Sequence, residues 1–174
     1  MTTCERLLLL TPKTTYRADD FLSAADRLGV EVVVGIDRCH ALVERDAAPS
    51  ARPTIAIDFR RVDESLALVL DLHRQAPILG VVALDDQTTI LAATVAAAIG
   101  LPHNSPKGAR AARDKLELRS TLSAASVWQP RFASIDVSID ADHAAKLAAE
   151  AVGFPCVVKP RSLSASRGVI RATH

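Results

Sequence analysis

The chain has 174 residues, 21 Lys and Arg against 20 Asp and Glu, a net charge of +1 and 3% aromatic residues. Scattered, nearly balanced charge leaves no electrostatic footprint for nucleic acid or an anionic membrane, and so few aromatic rings leave few platforms for stacking bases. A chain of this length can bury ~70% of its unfolded surface without a disulfide or metal, and its three widely spaced cysteines, Cys4, Cys39 and Cys156, suit a reducing compartment, so the expected location is the cytoplasm.

The opening stretch MTTCERLLLLTPK has an apolar run, Leu7–Leu10, that stops at Thr11-Pro12. It is too short for a signal peptide or a membrane span and reads as a strand buried on both faces. Residues 17–29 carry Phe21, Leu22, Ala25 and Leu28 at helical spacing, with Gly29 as the stop. A strand over Val32–Ile36 follows, then a polar stretch and a strand over Thr54–Phe59. Val62, Leu66, Val69, Leu70 and Leu72 give a helix over 62–75, and Ile78–Leu84 gives a strand. Gln87 to Ile99 is a helix rich in Ala, Leu and Ile that closes on Gly100. Alternating strands and helices predict a parallel sheet covered on both faces, one doubly wound, Rossmann-like α/β domain over residues 1–103.

The pattern changes at Leu101-Pro102-His103-Asn104. Ser105-Pro106 is a helix start, a serine N-cap with proline in the first turn, and the helix is expected to run to about Ala125, a linker over 104–126. Residues 127–174 then read as a strand over Trp128–Ile135, an Ala-rich helix over Asp140–Val152 ending at Gly153, a strand over Pro155–Lys159 and a last strand over Gly168–Ala172. So few strands need further structure to pack against, which makes this portion look incomplete: docked on the first domain or another copy, or part of a longer protein.

The first strand-to-helix turn, Thr11-Pro12-Lys13-Thr14-Thr15, lacks G-x-G-x-x-G, and no G-x-x-x-x-G-K-[ST] occurs. A dinucleotide site and a P-loop are both disfavoured, since each needs glycines for close backbone approach to phosphate. Lys115 lies in the 105–125 helix without a carboxylate three or four residues away, whereas Arg113 has Glu117 and Arg110 has Asp114. It is either a solvated lysine or a cation aimed at an anion outside the helix. Lys159 follows Cys156-Val157-Val158 in a strand that reads as buried, where an unpaired lysine is costly. The next residues, Arg161-Ser162-Leu163-Ser164-Ala165-Ser166-Arg167-Gly168, are too many for a tight hairpin. They form either a solvated serine-rich loop or an anion-binding one, with backbone N–H groups and hydroxyls as donors and two arginines flanking. Asp85-Asp86 falls at the carboxyl end of a strand, the edge where α/β domains bind ligands. Asp86 or Thr88 can equally cap the following helix. Cys39-His40 and His103 lack companions at metal-ligand spacing.

These pieces resemble the ATP-grasp superfamily, in its carboxylate–amine ligase and biotin-carboxylase-like branch. GVVALDDQTTILAATVAAAIGLPHNSPKGARAARDKLELRSTL is similar to the end of that family's pre-ATP-grasp domain and the helix after it, with Asp114-Lys115 and Arg119 matching D-K-x-x-x-R. GFPCVVKPRSLSASRGVIRA is similar to the G-[FY]-P-x-V-[VIL]-K-P strand and its small-residue phosphate loop. The order of the two motifs and the separation of their lysines make the resemblance.

The resemblance implies a pre-ATP-grasp domain over 1–103, a linker helix over 104–126 and a partial ATP-grasp subdomain over 127–174. It also implies an ADP-forming ligase in which ATP with Mg²⁺ turns a carboxylate into an acyl phosphate for attack by an amine or similar nucleophile. Lys115, Lys159, Ser162, Ser164, Ser166, Arg167 and Gly168 would then contact the ATP phosphates, with 162–168 as a lid, and Asp85 would stand on the substrate side. Partners would be small-molecule carboxylate and amine substrates, without nucleic acid or membrane, and an exposed sheet in 127–174 suggests a homo-oligomer. Two departures stand out: the family's loop is glycine-rich, whereas Gly168 is the one glycine in this loop beside a bulky Leu163, and no residue here matches the family's adenine hinge or acidic Mg²⁺ ligands. The expectation is an N-terminal portion that is inactive by itself; the alternative is a stand-alone, non-catalytic α/β nucleotide-binding or assembly module.

Overall fold

The computed structural model describes residues 6–12, 17–39 and 52–174. Cys4, His40 and residues 13–15 of the first strand-to-helix turn lie outside the described residues. The chain divides into two compact units, Met1–Ala109 and Arg110–His174.

In the first unit β1 (Arg6–Thr11), β2 (Glu31–Asp37), β3 (Thr54–Ile57) and β4 (Gly80–Ala83) form a parallel sheet in the order β3-β2-β1-β4. Helix α1 (Ala18–Leu28) connects β1 to β2, helix α2 (Val62–Gln75) connects β3 to β4, and helix α3 (Thr89–Ala98) follows β4. Central β1 pairs on both edges, with Leu8 opposite Val33 on one side and Val81 on the other. Its side chains alternate between two covered faces, so Leu8, Leu9 and Leu10 are all buried and the middle of the strand is a continuous apolar run. On one face Leu8, Leu10, Val33 and Ile57 pack with Val69 of α2 and with Leu91 and Val95 of α3. Helix α3 buries Leu91, Ala93, Val95 and Ala96 around its circumference, which is why its sequence shows no polar side.

Local devices close these elements. Gly29 stops α1 at φ +68°, with Val30 N–H donating to Ala25 O at 3.0 Å and Gly29 N–H to Asp26 O at 3.2 Å. Gly35 in β2 faces Leu10 and Ile57; a Cβ there would lie 2.6 Å from Leu10 Cδ2. Buried Ser65 donates from Oγ to Asp58 O at 2.8 Å and accepts from Asp58 N–H at 3.2 Å, tying the exit of β3 to the first turns of α2. The strand order reverses between β1 and β4, where Leu84 N–H donates to Leu10 O at 3.0 Å. Asp85 therefore follows at the carboxyl edge beside the end of β1, where such sheets form their ligand crevice.

Helix α4 (Pro106–Arg113) opens as expected, with Ser105 Oγ accepting from Gly108 N–H at 3.4 Å. The single helix expected to Ala125 is instead two. Asp114 takes an extended conformation, φ −112° and ψ 113°, ending α4 and capping α5 (Lys115–Ala124). No strand forms over Trp128–Ile135. Pro130 lacks a ladder donor, Trp128 is 90% exposed, and Gln129 is held on α5 instead, donating from Nε2 to Arg119 O at 2.8 Å and Ser123 Oγ at 2.6 Å.

Helix α6 (Ala141–Ala151) is capped by Asp140, whose Oδ1 accepts from His143 N–H at 2.9 Å. Strands β5 (Cys156–Val158) and β6 (Ile170–Ala172) form an antiparallel pair, Cys156 opposite Ala172 and Val158 opposite Ile170. The strand before Lys159 is not the buried one expected. Val157 is 57% exposed and Ile170 63%, because a two-stranded ladder covers neither of its own faces.

Candidate functional site

The second unit brings the two sequence motifs together. Asp114 Oδ1 accepts from Leu116 N–H at 2.9 Å and Glu117 N–H at 3.1 Å, satisfying amides that the first turn of α5 leaves open. The same carboxylate takes a two-pronged pair from Arg161, Nε to Oδ1 at 3.1 Å and Nη2 to Oδ2 at 2.5 Å. Arg161's hydrogen bond is the largest influence holding the Asp114 carboxyl below the usual carboxylate range; partial burial opposes it, and the two amides assist. The Arg161 guanidinium is correspondingly held more firmly protonated. Sequence spacing offered Asp114 to Arg110; the folded chain gives it to Arg161, 47 residues away.

Lys115, first residue of α5, does reach out of its helix, but its partners are neutral. Its Nζ donates to Arg161 O at 3.2 Å and Leu163 O at 2.6 Å, and its backbone N–H donates to Arg161 O at 3.1 Å. Arg113 Nη2 adds a bond to the intervening Ser162 O at 3.4 Å. The start of the loop is thus bound through three consecutive carbonyls.

Beyond Leu163 the loop folds on itself. Arg167 donates from its backbone N–H and from Nε to Ser164 O, each at 3.2 Å. Ala165 and Ser166 adopt left-handed φ of 54° and 56°, and Gly168 follows at 69°. Gly168 also lies against Pro160, whose Cγ would be 2.9 Å from an added Cβ. The loop's one glycine therefore stands where both backbone and space require it.

Lys159 is exposed at the exit of β5, and neither its ammonium nor the hydroxyls of Ser162, Ser164 and Ser166 hydrogen-bond to the described residues. One cation, three hydroxyls and the remaining guanidinium donors of Arg167 suit a phosphate chain, which needs donors and positive charge. The fit for a divalent metal is different: no three His, Cys, Asp or Glu side chains gather among the described residues.

Asp85 lies in the first unit and is engaged in a turn. Its Oδ1 accepts from Gln87 N–H at 2.7 Å, and Thr88 Oγ1 donates to Asp85 O at 2.7 Å. Thr88, the N-cap residue of α3, makes no side-chain capping bond and points its hydroxyl back into the turn. His103 Nδ1 sits 2.8 Å from Leu101 O, a local turn contact. By sequence Arg161 is only a charge flanking the loop; its partner, Asp114, is set by the fold and not by spacing. Arg119 of the D-K-x-x-x-R pattern holds Gln129, its Nη1 donating to Oε1 at 3.3 Å.

No helix among the described residues is long and apolar enough to cross a membrane. Residues 22–103 match the family described as the ATP-grasp N-terminal domain. No curated protein matches the chain significantly. Solved structures do resemble it. The L-amino acid ligase from Bacillus licheniformis is 18% identical with a TM-score of 0.69, over 100% of this chain and 40% of that one. The biotin carboxylase domain of the Hydrogenobacter thermophilus 2-oxoglutarate carboxylase, in complex with MgADP and bicarbonate, is 15% identical with a TM-score of 0.58, over 99% of this chain and 38% of that one. The N5-carboxyaminoimidazole synthetase from Staphylococcus aureus, complexed with ADP, is 16% identical with a TM-score of 0.58, over 98% and 42%. The chain spans about two-fifths of the length of these structures. Residues 22–103 are thus similar to the ATP-grasp N-terminal domain, and the chain shares the α/β fold of these solved structures over nearly its whole length.

Proposed function

We propose that the chain is the N-terminal portion of an ATP-dependent, ADP-forming ligase that activates a small-molecule carboxylate as an acyl phosphate for attack by an amine or similar nucleophile. The observation that carries this reading is the meeting of Lys115, at the head of α5, with the loop that follows Lys159. Lys159, Ser162, Ser164, Ser166, Arg167 and Lys115 are assigned to the phosphates, and Gly168 to shaping the loop. Asp85 is assigned to the substrate side at the crevice of the parallel sheet.

Phosphoryl transfer asks a protein mainly to position the chain of phosphates and neutralise its charge. Lys159 and Arg167 supply charge, and the serine hydroxyls supply donors in place of the backbone amides of a glycine-rich loop. ATP, when bound, supplies the phosphoryl group and a good leaving group. This chain's residues orient the phosphates; the adenine and Mg²⁺ sites are assigned to sequence outside 1–174.

Nuclear magnetic resonance titration with ATP tests this. Expected are weak, millimolar binding, amide shifts concentrated at 159–168, the same shifts with inorganic tripolyphosphate, and loss of both on Lys159→Ala without change elsewhere. Shifts absent from 159–168, or unaltered by Lys159→Ala, would overturn the assignment. Micromolar ATP affinity would contradict an adenine site outside this chain.

A further inference from the structure

Three cations beside the start of the loop, Lys115, Arg113 and Arg161, are engaged by the protein itself. Lys115 Nζ holds the carbonyls of Arg161 and Leu163, Arg113 Nη2 holds that of Ser162, and Arg161's guanidinium turns back onto Asp114. Two of the three N–H groups of the Lys115 ammonium are thus committed to neutral oxygens. An anion drawing on Lys115 must displace contacts that the protein already makes with itself. The tip carries a second sign of constraint, the consecutive left-handed Ala165 and Ser166. Non-glycine residues persist in that region only where the surroundings hold them.

We infer that Asp114, Arg161 and Lys115 form an intramolecular latch that holds the 161–168 loop in a conformation competing with anion binding, so that Lys115 serves the loop and the anion in alternation. The anion half rests on the phosphate reading above; the latch itself rests only on the contacts. A ligand whose competent state is partly populated binds with its affinity reduced by that fraction, so opening the latch raises apparent affinity. Asp114 and Arg161 are positioning residues on this view, acting through the loop and not by touching the anion.

The test uses the full chain and two variants, Asp114→Asn and Arg161→Gln. Asparagine caps a helix as well as aspartate does, so Asp114→Asn removes the ion pair and keeps the start of α5. The first readout is tryptic cleavage of the Arg167–Gly168 bond, followed by mass spectrometry, in protein whose circular dichroism matches the parent. Both variants are expected to be cut there about fivefold faster, as local opening becomes easier. Cleavage within twofold of the parent in both would overturn the latch.

The second readout is affinity for inorganic tripolyphosphate. Simple electrostatics predicts that Asp114→Asn tightens binding and Arg161→Gln weakens it. The latch predicts that both tighten it, by about threefold or more. Weaker binding by Arg161→Gln would overturn the competition and make Arg161 an anion ligand. Failure of parent and variants alike to bind tripolyphosphate would defeat the phosphate reading and the competition with it, while the cleavage ratio still decides whether the loop is latched.

Discussion

Asp114 does two jobs with one carboxylate, capping α5 and pairing with Arg161, and the second depends on its charge. Its carboxyl is held below the ordinary value of about 3.9, chiefly by the Arg161 hydrogen bond. A depressed folded value means that the contribution is fully present above about pH 4 and is lost as the pH falls through the folded value. Protection of the Leu116 and Glu117 amides, each taken against its own intrinsic exchange rate at that pH, is therefore expected to fall relative to the rest of the chain below that point and to stay constant from pH 5 to 8. A step near neutrality would contradict the assignment.

Gly35 illustrates a residue decided by space. Its Cβ position is filled by Leu10 Cδ2 at 2.6 Å and Ile57 Cγ1 at 3.2 Å, both in the buried core. Gly35→Val should destabilise the protein by about 1–3 kcal/mol through overpacking, only partly offset by the ~0.5–1 kcal/mol that strand glycine costs in entropy. A thermal midpoint at or above the parent's would refute this.

At the scale of elements, the junctions carry more than the elements do. Ser65 satisfies both backbone groups of Asp58 where β3 hands over to α2. Ser65→Ala leaves that N–H and carbonyl without their partner, and a loss of about 1–3 kcal/mol is expected in chemical denaturation. A change under half of that would mean that water replaces the hydroxyl. The loop after β5 is a second junction, closed by Gly168 against Pro160. Gly168→Ala adds a Cβ both at left-handed φ and against the ring, so the loop should be cut more readily by protease while the first unit's midpoint stays put. Much of this organisation was legible beforehand. Strand–helix alternation, the Gly29 and Gly100 stops and the Ser105-Pro106 start are local signals, and local physics set them. The break of the long helix at Asp114 was not legible, since Arg113-Asp114-Lys115 continues a helical pattern and only Arg161 gives the extended residue its second partner. The expected strand at 128–135 fails because Pro130 has no N–H for a ladder and Gln129 is drawn onto α5, a contact that local alternation does not reveal.

Across the molecule, the two units differ in how apolar surface is removed from water. The first buries a continuous cluster from β1, β2, β3, α2 and α3. In the second, α5 and α6 contribute no buried residue, and the strands stay largely exposed. Burial is the dominant favourable contribution to folding, so hydrogen exchange should be two-tiered. Amides of β1 and β2 should exchange only through global unfolding, and those of α6, β5 and β6 through far cheaper local opening. Equal protection in both units would show that 110–174 is stabilised by something beyond its own packing.

By itself the sequence determined the α/β alternation, the apolar character of β1, the order of the Asp114-Lys115 and Lys159-to-Gly168 motifs and hence the resemblance to ATP-grasp enzymes, because periodicity, turn residues and motif order are properties of neighbours along the chain. The tertiary structure alone decided that Asp114 belongs to Arg161, that Lys115 grips loop carbonyls and that Val157 and Val158 before Lys159 are exposed. Those outcomes depend on which segments, 47 residues apart in the case of Asp114 and Arg161, the fold sets side by side, and no local spacing encodes that.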